Sequence, residues 1–160
     1  MGVEIERKFL VRDDGWRPGA AGTPFRQGYL STDPERTVRV RLEGERGVLT
    51  IKGPTRGLVR AEFEYPIPSR EAAELLDSLC LRPLIEKTRY RLDYAGTCWE
   101  IDEFFGENAG LVLAEVELDR PDQALELPPW VGAEVSHDPR YFNAGLVRRP
   151  YRSWGVPPRG

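Results

Sequence analysis

Histidine and cysteine are scarce in this chain of 160 residues, which contains only His137, Cys80 and Cys98. A structural zinc site gathers several such side chains, and a disulfide framework needs more cysteines, so we expect neither. Both cysteines are interpreted as ordinary reduced residues. A Ser–His–Asp triad would have to use His137, which lies in a turn-like Ser-His-Asp-Pro run and is therefore a poor candidate.

Long apolar runs are absent as well. No stretch approaches the roughly 18 consecutive apolar residues of a transmembrane helix, and the N-terminal segment lacks the apolar core of a signal peptide. We therefore expect a cytoplasmic protein without a membrane partner. The formal net charge is −3, so the chain as a whole lacks the positive charge that attracts nucleic acid, and no nucleic-acid partner is expected.

No segment matches the glycine-rich phosphate loop GxxxxGK[ST]. Any binding of anions must therefore come from a local concentration of lysine and arginine side chains. The net charge says nothing against such a concentration, because charged residues make up 31% of the sequence.

Alternation of apolar and polar residues predicts a protein made mostly of strands. Turn residues, mainly glycine, proline and aspartate, separate many of these segments, so the pattern predicts an antiparallel meander that curls or closes. The predicted strands are residues 3–11, 25–31, 37–42, 48–52, 61–67, 84–93, 98–104 and 110–118.

Two helices are predicted beside these strands. The first follows Ser69, which we expect to cap it, and Pro83 prevents its continuation. A second, short helix is expected to begin at Asp138, with Pro139 in its first position, and to run to about residue 147. Residues 1–150 are predicted to form one domain, and residues 151–160 an irregular tail.

Charged residues occupy one face of seven of the eight predicted strands, because successive side chains of a strand point to opposite sides. The charges are also sorted by strand, with like charges two residues apart. The acidic pairs are Glu4 with Glu6, Glu62 with Glu64, Glu100 with Asp102, and Glu115 with Glu117; the basic sets are Arg39 with Arg41, and Lys87 with Arg89 and Arg91.

Two interpretations of this pattern remain open. A half-buried sheet with a solvated face would carry cross-strand salt bridges, but a sheet built for stability would tend to mix charges of opposite sign. Sorted charges are expected where a ligand supplies the counter-charge. Paired carboxylates are ligands for Mg²⁺ or Mn²⁺, and arginine clusters bind phosphate oxygens. A polyphosphate with its metal inside a barrel whose charged face points inward would satisfy both clusters.

Ordered segments of the sequence resemble the CYTH superfamily, the triphosphate tunnel metalloenzymes, over about residues 3–148. The resemblance begins with the ExExK pattern of Glu4, Glu6 and Lys8. It continues through the sequences QGYL, RVR, TIKG, EFE, EKTRY, WEID, LAEVEL and RYFN in family order. It implies an eight-stranded antiparallel β-barrel with a few flanking helices. The compact length is most similar to the short bacterial branch, which prefers inorganic tripolyphosphate.

The resemblance also implies roles for individual residues, with Mg²⁺ or Mn²⁺ as the cofactor. Glu4, Glu6 and Glu117 would hold the metal, and Asp102 and Glu115 would help bind a second metal or position water. Phosphate oxygens would be bound by Arg39, Arg41, Lys52, Lys87, Arg89 and Arg91. Glu62 and Glu64 would orient these cations, and Lys8 with Tyr29 would prepare the attacking water.

The function implied is hydrolysis of inorganic tripolyphosphate to pyrophosphate and phosphate. Alternatives on the same fold are a nucleoside or thiamine triphosphatase and an adenylate cyclase, for which Trp16, Trp99, Trp130 or Trp154 could stack on an organic group. A polyphosphate-binding module without activity is a further alternative.

Leu113 departs from the family pattern, which can carry an acid there. The sequence leaves open whether the protein is a monomer or a homodimer.

Overall fold

The computed structural model describes residues 2–155, which form nine strands and two α-helices joined by turns and short 3₁₀ segments. The strands are β1 (Val3–Val11), β2 (Ala21–Ser31), β3 (Thr37–Glu43), β4 (Arg46–Arg56), β5 (Val59–Ile67), β6 (Ile85–Tyr94), β7 (Thr97–Phe105), β8 (Val112–Glu117) and β9 (Val131–Glu134). The helices are α1 (Ser69–Ser78) and α2 (Asn143–Arg148).

The first eight strands close into an antiparallel barrel, which confirms the predicted fold class. Their order is β5-β4-β3-β2-β6-β7-β8-β1, and the first residues of β1 pair back onto β5, from Val3 opposite Ala61 to Ile5 opposite Val59. Farther along β1, Phe9 and Val11 pair instead with β9. The sequence did not predict β9, because a strand of four residues, one of them glycine, is too short to show alternation.

Several element boundaries differ from the predictions. Strand β2 begins at Ala21, where Pro24 and a glycine obscure the alternation, and its first residues pair with β6. The prediction that Ser69 caps the first helix is wrong, because Pro68 occupies the cap position and no side-chain hydrogen bond caps the helix. The second predicted helix is divided at Phe142 into a 3₁₀ turn and α2. The Asp138 side chain caps the 3₁₀ turn by accepting a hydrogen bond from the backbone N–H of Arg140.

The outward strand faces carry most of the apolar core, as the inward charge pattern requires. Phe9, Trp99 and Ile101 point outward from β1 and β7, and the loop residues Trp16 and Trp130 cover them. These three tryptophans are almost completely buried, so they are packing residues rather than an exposed platform for a base. Helix α1 covers the outward face of β3 at Val40 in the same way.

One end of the barrel interior is apolar. Tyr29, Ile85, Phe104 and Leu113 share the inward strand faces with the charged residues, and Leu146 of α2 packs against them. Leu113, where relatives can carry an acid, therefore belongs to a packed cluster. An acid at this position would be buried beside Asp102, its register partner on β7.

The C-terminal segment packs against this apolar end. Trp154 contacts the rings of Tyr141 and Tyr151, and its Nε1 donates a hydrogen bond to the Arg149 carbonyl. The start of the predicted tail is therefore attached to the barrel as a short 3₁₀ turn, while residues 156–160 lie outside the described residues. Neither α1 nor α2, nor any other described helix, has the length and apolar character needed to cross a membrane.

Candidate active site

The barrel encloses a cavity of about 570 Å³ lined mostly by charged side chains. The inward faces of the strands supply them, because each alternating face that carries charge in the sequence points into the barrel. The predicted site residues that line the cavity are Glu4, Glu6, Lys8, Tyr29, Arg39, Arg41, Lys52, Glu62, Glu64, Lys87, Arg89, Arg91, Glu115 and Glu117. Asp102 is also a predicted site residue, but it lies beneath the cavity wall with 1% of its surface exposed.

A buried ionic network joins the wall of the cavity to Asp102. Arg89 donates a bidentate pair of hydrogen bonds to Asp102, from Nε to Oδ1 at 2.7 Å and from Nη2 to Oδ2 at 2.8 Å. The Lys87 Nζ donates to the same carboxylate at 2.8 Å. Glu115 extends the network, since its Oε1 lies 3.1 Å from Arg89 Nη2 and its Oε2 lies 3.0 Å from Lys8 Nζ. Both oxygens of Asp102 are therefore engaged by cations.

The two lysines of this network differ in their pKa. Burial lowers the pKa of Lys8, but Glu115 and Glu6 outweigh burial and raise it above its ordinary value. For Lys87, burial and the neighbouring Arg89 lower the pKa to about 7 despite the contact with Asp102. Lys8 is thus a permanent ammonium, whereas Lys87 can exchange a proton near neutral pH.

The predicted pair of Lys8 and Tyr29 is brought to one cavity, but no hydrogen bond joins the two side chains within the described part of the chain. Lys8 Nζ instead donates to the Tyr141 carbonyl at 3.3 Å and contacts Glu115. Tyr29 is 5% exposed, packs in the apolar cluster beside Ile85 and also lines the cavity. Its position is compatible with packing and with a role at the substrate.

Carboxylates accumulate at another part of the cavity, around the first residues of β1. Glu6 lies opposite Glu117 in the β1–β8 register, and Glu4 adjoins Glu62. The one lysine bound to this group is Lys52, whose Nζ lies 2.9 Å from Glu4 Oε1 and 3.5 Å from Glu62 Oε2, as far as the described residues go. The cluster therefore holds more negative than positive charge.

Burial and the excess of negative charge raise the pKa values of three carboxyl groups in this cluster. Burial, together with Glu115 and Glu4, raises the pKa of Glu6 to about 8. Burial and Glu4 also raise the pKa values of Glu117 and Glu62. Carboxyl groups in this state are stabilised as anions when a cation approaches them.

The donor set fits a hard divalent cation. Carboxylate oxygens are the ligands that Mg²⁺ and Mn²⁺ prefer, and a bound cation would relieve the repulsion that adds to burial in raising the pKa values of Glu6 and Glu117. Among residues 2–155, no three acidic, histidine or cysteine side chains are already gathered as a metal cluster. The fit therefore rests on donor chemistry and charge.

The guanidinium groups of β3 also line the cavity. Arg41 Nη2 contacts Glu43 at 2.6 Å, and Arg39 Nη2 lies 3.3 Å from the Thr50 hydroxyl and 3.7 Å from Glu64. The Nε atoms of both arginines are buried without a hydrogen-bond partner among the described residues. Burial and the neighbouring Arg39 lower the pKa of Arg41 to about 10, so a phosphate anion would relieve charge repulsion here.

Two cavity residues were missed because they lie just beyond the predicted strand ends. Arg60 continues the inward alternation of Glu62 backward along β5, and Glu43 continues that of Arg41 along β3. Extending each strand by one alternation step would have found both.

Asn143 was quoted within a resembling segment but was not predicted as a site residue. Its Oδ1 accepts hydrogen bonds from Gln27 Nε2 at 2.8 Å and from Lys87 Nζ at 3.0 Å. Ser136 lies nearby and accepts a hydrogen bond from the backbone N–H of Lys8. Strand alternation could not predict these contacts, because the C-terminal segment reaches the cavity only through tertiary folding.

Several known proteins are similar to this chain. The sequence profile of the CYTH domain matches residues 2–151. An inorganic triphosphatase from Acetivibrio thermocellus is 48% identical over 154 residues, covering 96% of this chain and 99% of that protein. An inorganic triphosphatase from Nitrosomonas europaea is 40% identical over 151 residues, covering 91% and 97%. The crystal structure of the inorganic triphosphatase NE1496 superposes with a TM-score of 0.66 at 36% identity, covering 89% of this chain and 96% of that one.

Proposed function

This chain belongs to the CYTH domain family, and on that premise we propose that it is a metal-dependent phosphohydrolase that cleaves inorganic tripolyphosphate to pyrophosphate and phosphate. The observation that carries the proposal is one cavity lined by both an acidic and a basic cluster. Carboxylates outnumber their cations around Glu6. At Arg39 and Arg41 each guanidinium contacts a glutamate, but the two positive charges still repel one another. A metal–triphosphate complex brings a cation for the first cluster and anions for the second, and the two similar proteins that bear the name inorganic triphosphatase support the same substrate.

The cations of the cavity hold the phosphate groups. Phosphoryl transfer leaves a protein mainly the tasks of positioning groups and stabilising charge. Arg39, Arg41 and Arg89 present fixed guanidinium groups, and Lys52 adds an ammonium beside the carboxylates. Because Asp102 and Glu115 fix Arg89 in place, this donor does not have to reorganise when charge develops on the phosphate oxygens.

Glu4, Glu6 and Glu117 would hold the metal ion, for which we propose Mg²⁺ or Mn²⁺. When bound, the ion neutralises charge on the phosphate oxygens and on the leaving group. Glu62 has a supporting role, since it shares Lys52 with Glu4.

Preparation of the attacking water is assigned to cavity residues that can bind or exchange protons. We retain Lys8 and Tyr29 as the pair suggested by the family pattern, with the Lys8 ammonium fixing anionic oxygen because its pKa is raised. Lys87 is the alternative proton acceptor, since its pKa is lowered to about 7. Asn143 and Asp102 hold its Nζ in place.

An inorganic substrate is favoured over a nucleotide by the lining of the cavity. Its aromatic lining residues, within the described chain, are Tyr29 and Phe142. Trp16, Trp99 and Trp130 are buried in the outer core instead. The cavity therefore lacks an indole on which a base or a thiazolium ring could stack.

This difference predicts selectivity among triphosphates. ATP and thiamine triphosphate replace one terminal phosphate of tripolyphosphate by a phosphate ester with less negative charge, and no indole among the described cavity residues offsets this loss. A lost hydrogen bond to a charged group costs roughly 1.5–3 kcal/mol, so kcat/KM for tripolyphosphate should exceed that for either ester by about 10- to 100-fold. Phosphate release from each substrate with Mg²⁺ or Mn²⁺ measures the ratio, and chromatography of the ATP reaction tests for cyclic AMP. Equal or faster cleavage of ATP would instead favour a nucleotide enzyme.

A further inference from the structure

Arg60 is a cavity cation with an unusual set of partners. Its Nε donates a hydrogen bond to the Gly53 carbonyl at 2.6 Å, and its Nη2 donates to the Thr37 hydroxyl at 3.3 Å. Both acceptors are uncharged. They hold the guanidinium in one place at the cavity wall without neutralising it, and they leave three of its five N–H groups free of these two contacts.

Other cations buried in the cavity wall are paired with carboxylates. The paired set comprises Lys8, Arg39, Arg41, Lys52, Lys87 and Arg89, at distances from 2.6 to 3.7 Å. Arg60 has no such ion pair with any residue from 2 to 155. Burial lowers its pKa, and Glu4 is the group that opposes this effect most strongly. Its charge is therefore partly desolvated and lacks a bound counter-ion, a combination that favours an anionic ligand.

The position of Arg60 fixes which part of a ligand it would contact. Arg60 lies opposite Glu4 in the β1–β5 register, at the seam that closes the barrel. The turn between β4 and β5, which includes Gly57, lines the cavity beside it. Arg60 is thus at the end of the cavity where the carboxylate cluster lies, opposite the end that is filled by apolar side chains around Ile85.

We propose that Arg60 is a substrate-binding residue that holds a terminal phosphate of tripolyphosphate at the Glu4 end of the cavity. The inference rests on the proposed function. The terminal phosphates of tripolyphosphate carry more negative charge than the central one, so they gain most from an unneutralised guanidinium. Because Gly53 and Thr37 already fix the Arg60 guanidinium, this group binds a phosphate with little further loss of side-chain freedom.

A purely structural role makes a different prediction. If Arg60 served only to hold the β4–β5 turn through the Gly53 carbonyl, its replacement would lower the unfolding temperature and leave the affinity for tripolyphosphate unchanged. The two roles are therefore separated by measuring binding and stability on the same variants.

The test compares Arg60→Gln and Arg60→Lys with Arg56→Gln, which removes an equal charge from an exposed position outside the cavity lining. Steady-state kinetics with tripolyphosphate gives KM and kcat, and calorimetry with tripolyphosphate in EDTA gives the affinity without turnover. For Arg60→Gln we expect KM and the dissociation constant to rise about 10- to 100-fold while kcat changes by less than about threefold. Arg60→Lys should be intermediate, and Arg56→Gln should match the wild type.

The inference is overturned if Arg60→Gln binds tripolyphosphate as tightly as Arg56→Gln does. A lower unfolding temperature with unchanged affinity would assign Arg60 the structural role. Should Arg60→Gln fail to fold, Arg60→Lys decides the question. An affinity of Arg60→Lys equal to that of the wild type would show that the Arg60 guanidinium does not bind tripolyphosphate. Failure of the proposed function would be visible separately, as wild-type protein that does not cleave tripolyphosphate with either metal while the calorimetric comparison still reports on Arg60.

Discussion

Replacing Glu6 by glutamine should remove metal-dependent turnover and yet stabilise the protein in EDTA. The carboxylate is the most strongly perturbed acid of the cluster, with a pKa raised to about 8 by burial, Glu115 and Glu4. Glutamine keeps the shape but cannot supply a negative ligand. We expect kcat for tripolyphosphate with Mg²⁺ or Mn²⁺ to fall by about 10²- to 10³-fold, as when another preorganised electrostatic contact is lost.

The stability effect has a defined dependence on pH. Because the folded pKa of Glu6, about 8, lies above the ordinary 4.5, the folded state holds a proton that the unfolded state has released between these values. The contribution of Glu6 to stability therefore falls as pH rises from about 4.5 to 8. Glutamine has no such titration, so Glu6→Gln should unfold at a higher temperature than the wild type at pH 8 and at a similar temperature near pH 4.5.

Thermal unfolding in EDTA at several pH values, with phosphate release in parallel, checks both parts. Glu45→Gln is the matched control, since Glu45 is exposed in the β3–β4 turn and does not line the cavity. An unchanged rate for Glu6→Gln would remove Glu6 from the metal site. A lower unfolding temperature than the wild type at pH 8 would contradict the uncompensated carboxylate cluster.

Replacing Asp102 by alanine should cost about 3–5 kcal/mol in the free energy of unfolding at pH 7. The carboxylate is fully buried and accepts hydrogen bonds from both Lys87 and Arg89. Its removal leaves the buried Arg89 guanidinium with reduced counter-charge and deprives Lys87 of the carboxylate that favours its charged form. Burial acts to raise the pKa of Asp102, but Arg89 and Lys87 outweigh it and lower the pKa. This stabilisation is therefore present above the ordinary pKa of 3.8 and is lost as pH falls through the lower folded value.

Urea denaturation at pH 7 measures this effect, with Glu100→Ala as the comparison. Glu100 also pairs with Arg89, but its side chain is 28% exposed, so its loss should cost no more than about 1 kcal/mol. Equal changes in the free energy of unfolding for the two variants would show that the buried ion pairs of Asp102 stabilise the protein no more than the partly exposed pair of Glu100 does. The resemblance suggests that Asp102 helps bind a second metal or positions water; the engagement of both its oxygens favours a positioning role through Lys87 and Arg89.

The inward face of the barrel could be predicted because charge alternates with apolar residues along each strand. Glu4 and Glu6, or Arg39 and Arg41, reveal their common face from spacing alone. Closure of the barrel could not be derived from that pattern, since it depends on the pairing of Val3–Ile5 with residues near Arg60. The resemblance to a known family supplied the closed barrel that local periodicity leaves open.

The different properties of the two lysines also lay beyond the sequence. Lys8 and Lys87 both belong to charged strand faces, and nothing in their spacing separates them. Burial lowers the pKa of both lysines. Glu115 and Glu6 outweigh burial at Lys8, whereas at Lys87 Arg89 adds to burial and Asp102 does not outweigh them. Contributions from the C-terminal segment, such as Asn143, were equally hidden, since they arise only when α2 packs on the barrel.

The most direct test of the proposed chemistry is the product ratio from tripolyphosphate with Mg²⁺, with Mn²⁺ and with EDTA. Phosphate and pyrophosphate should appear in equal amounts with at least one of the two metals, and neither should appear in EDTA. Turnover that persists in EDTA would contradict the metal site at Glu4, Glu6 and Glu117. Tight binding of tripolyphosphate without cleavage under any of these conditions would contradict the hydrolase and indicate a polyphosphate-binding module.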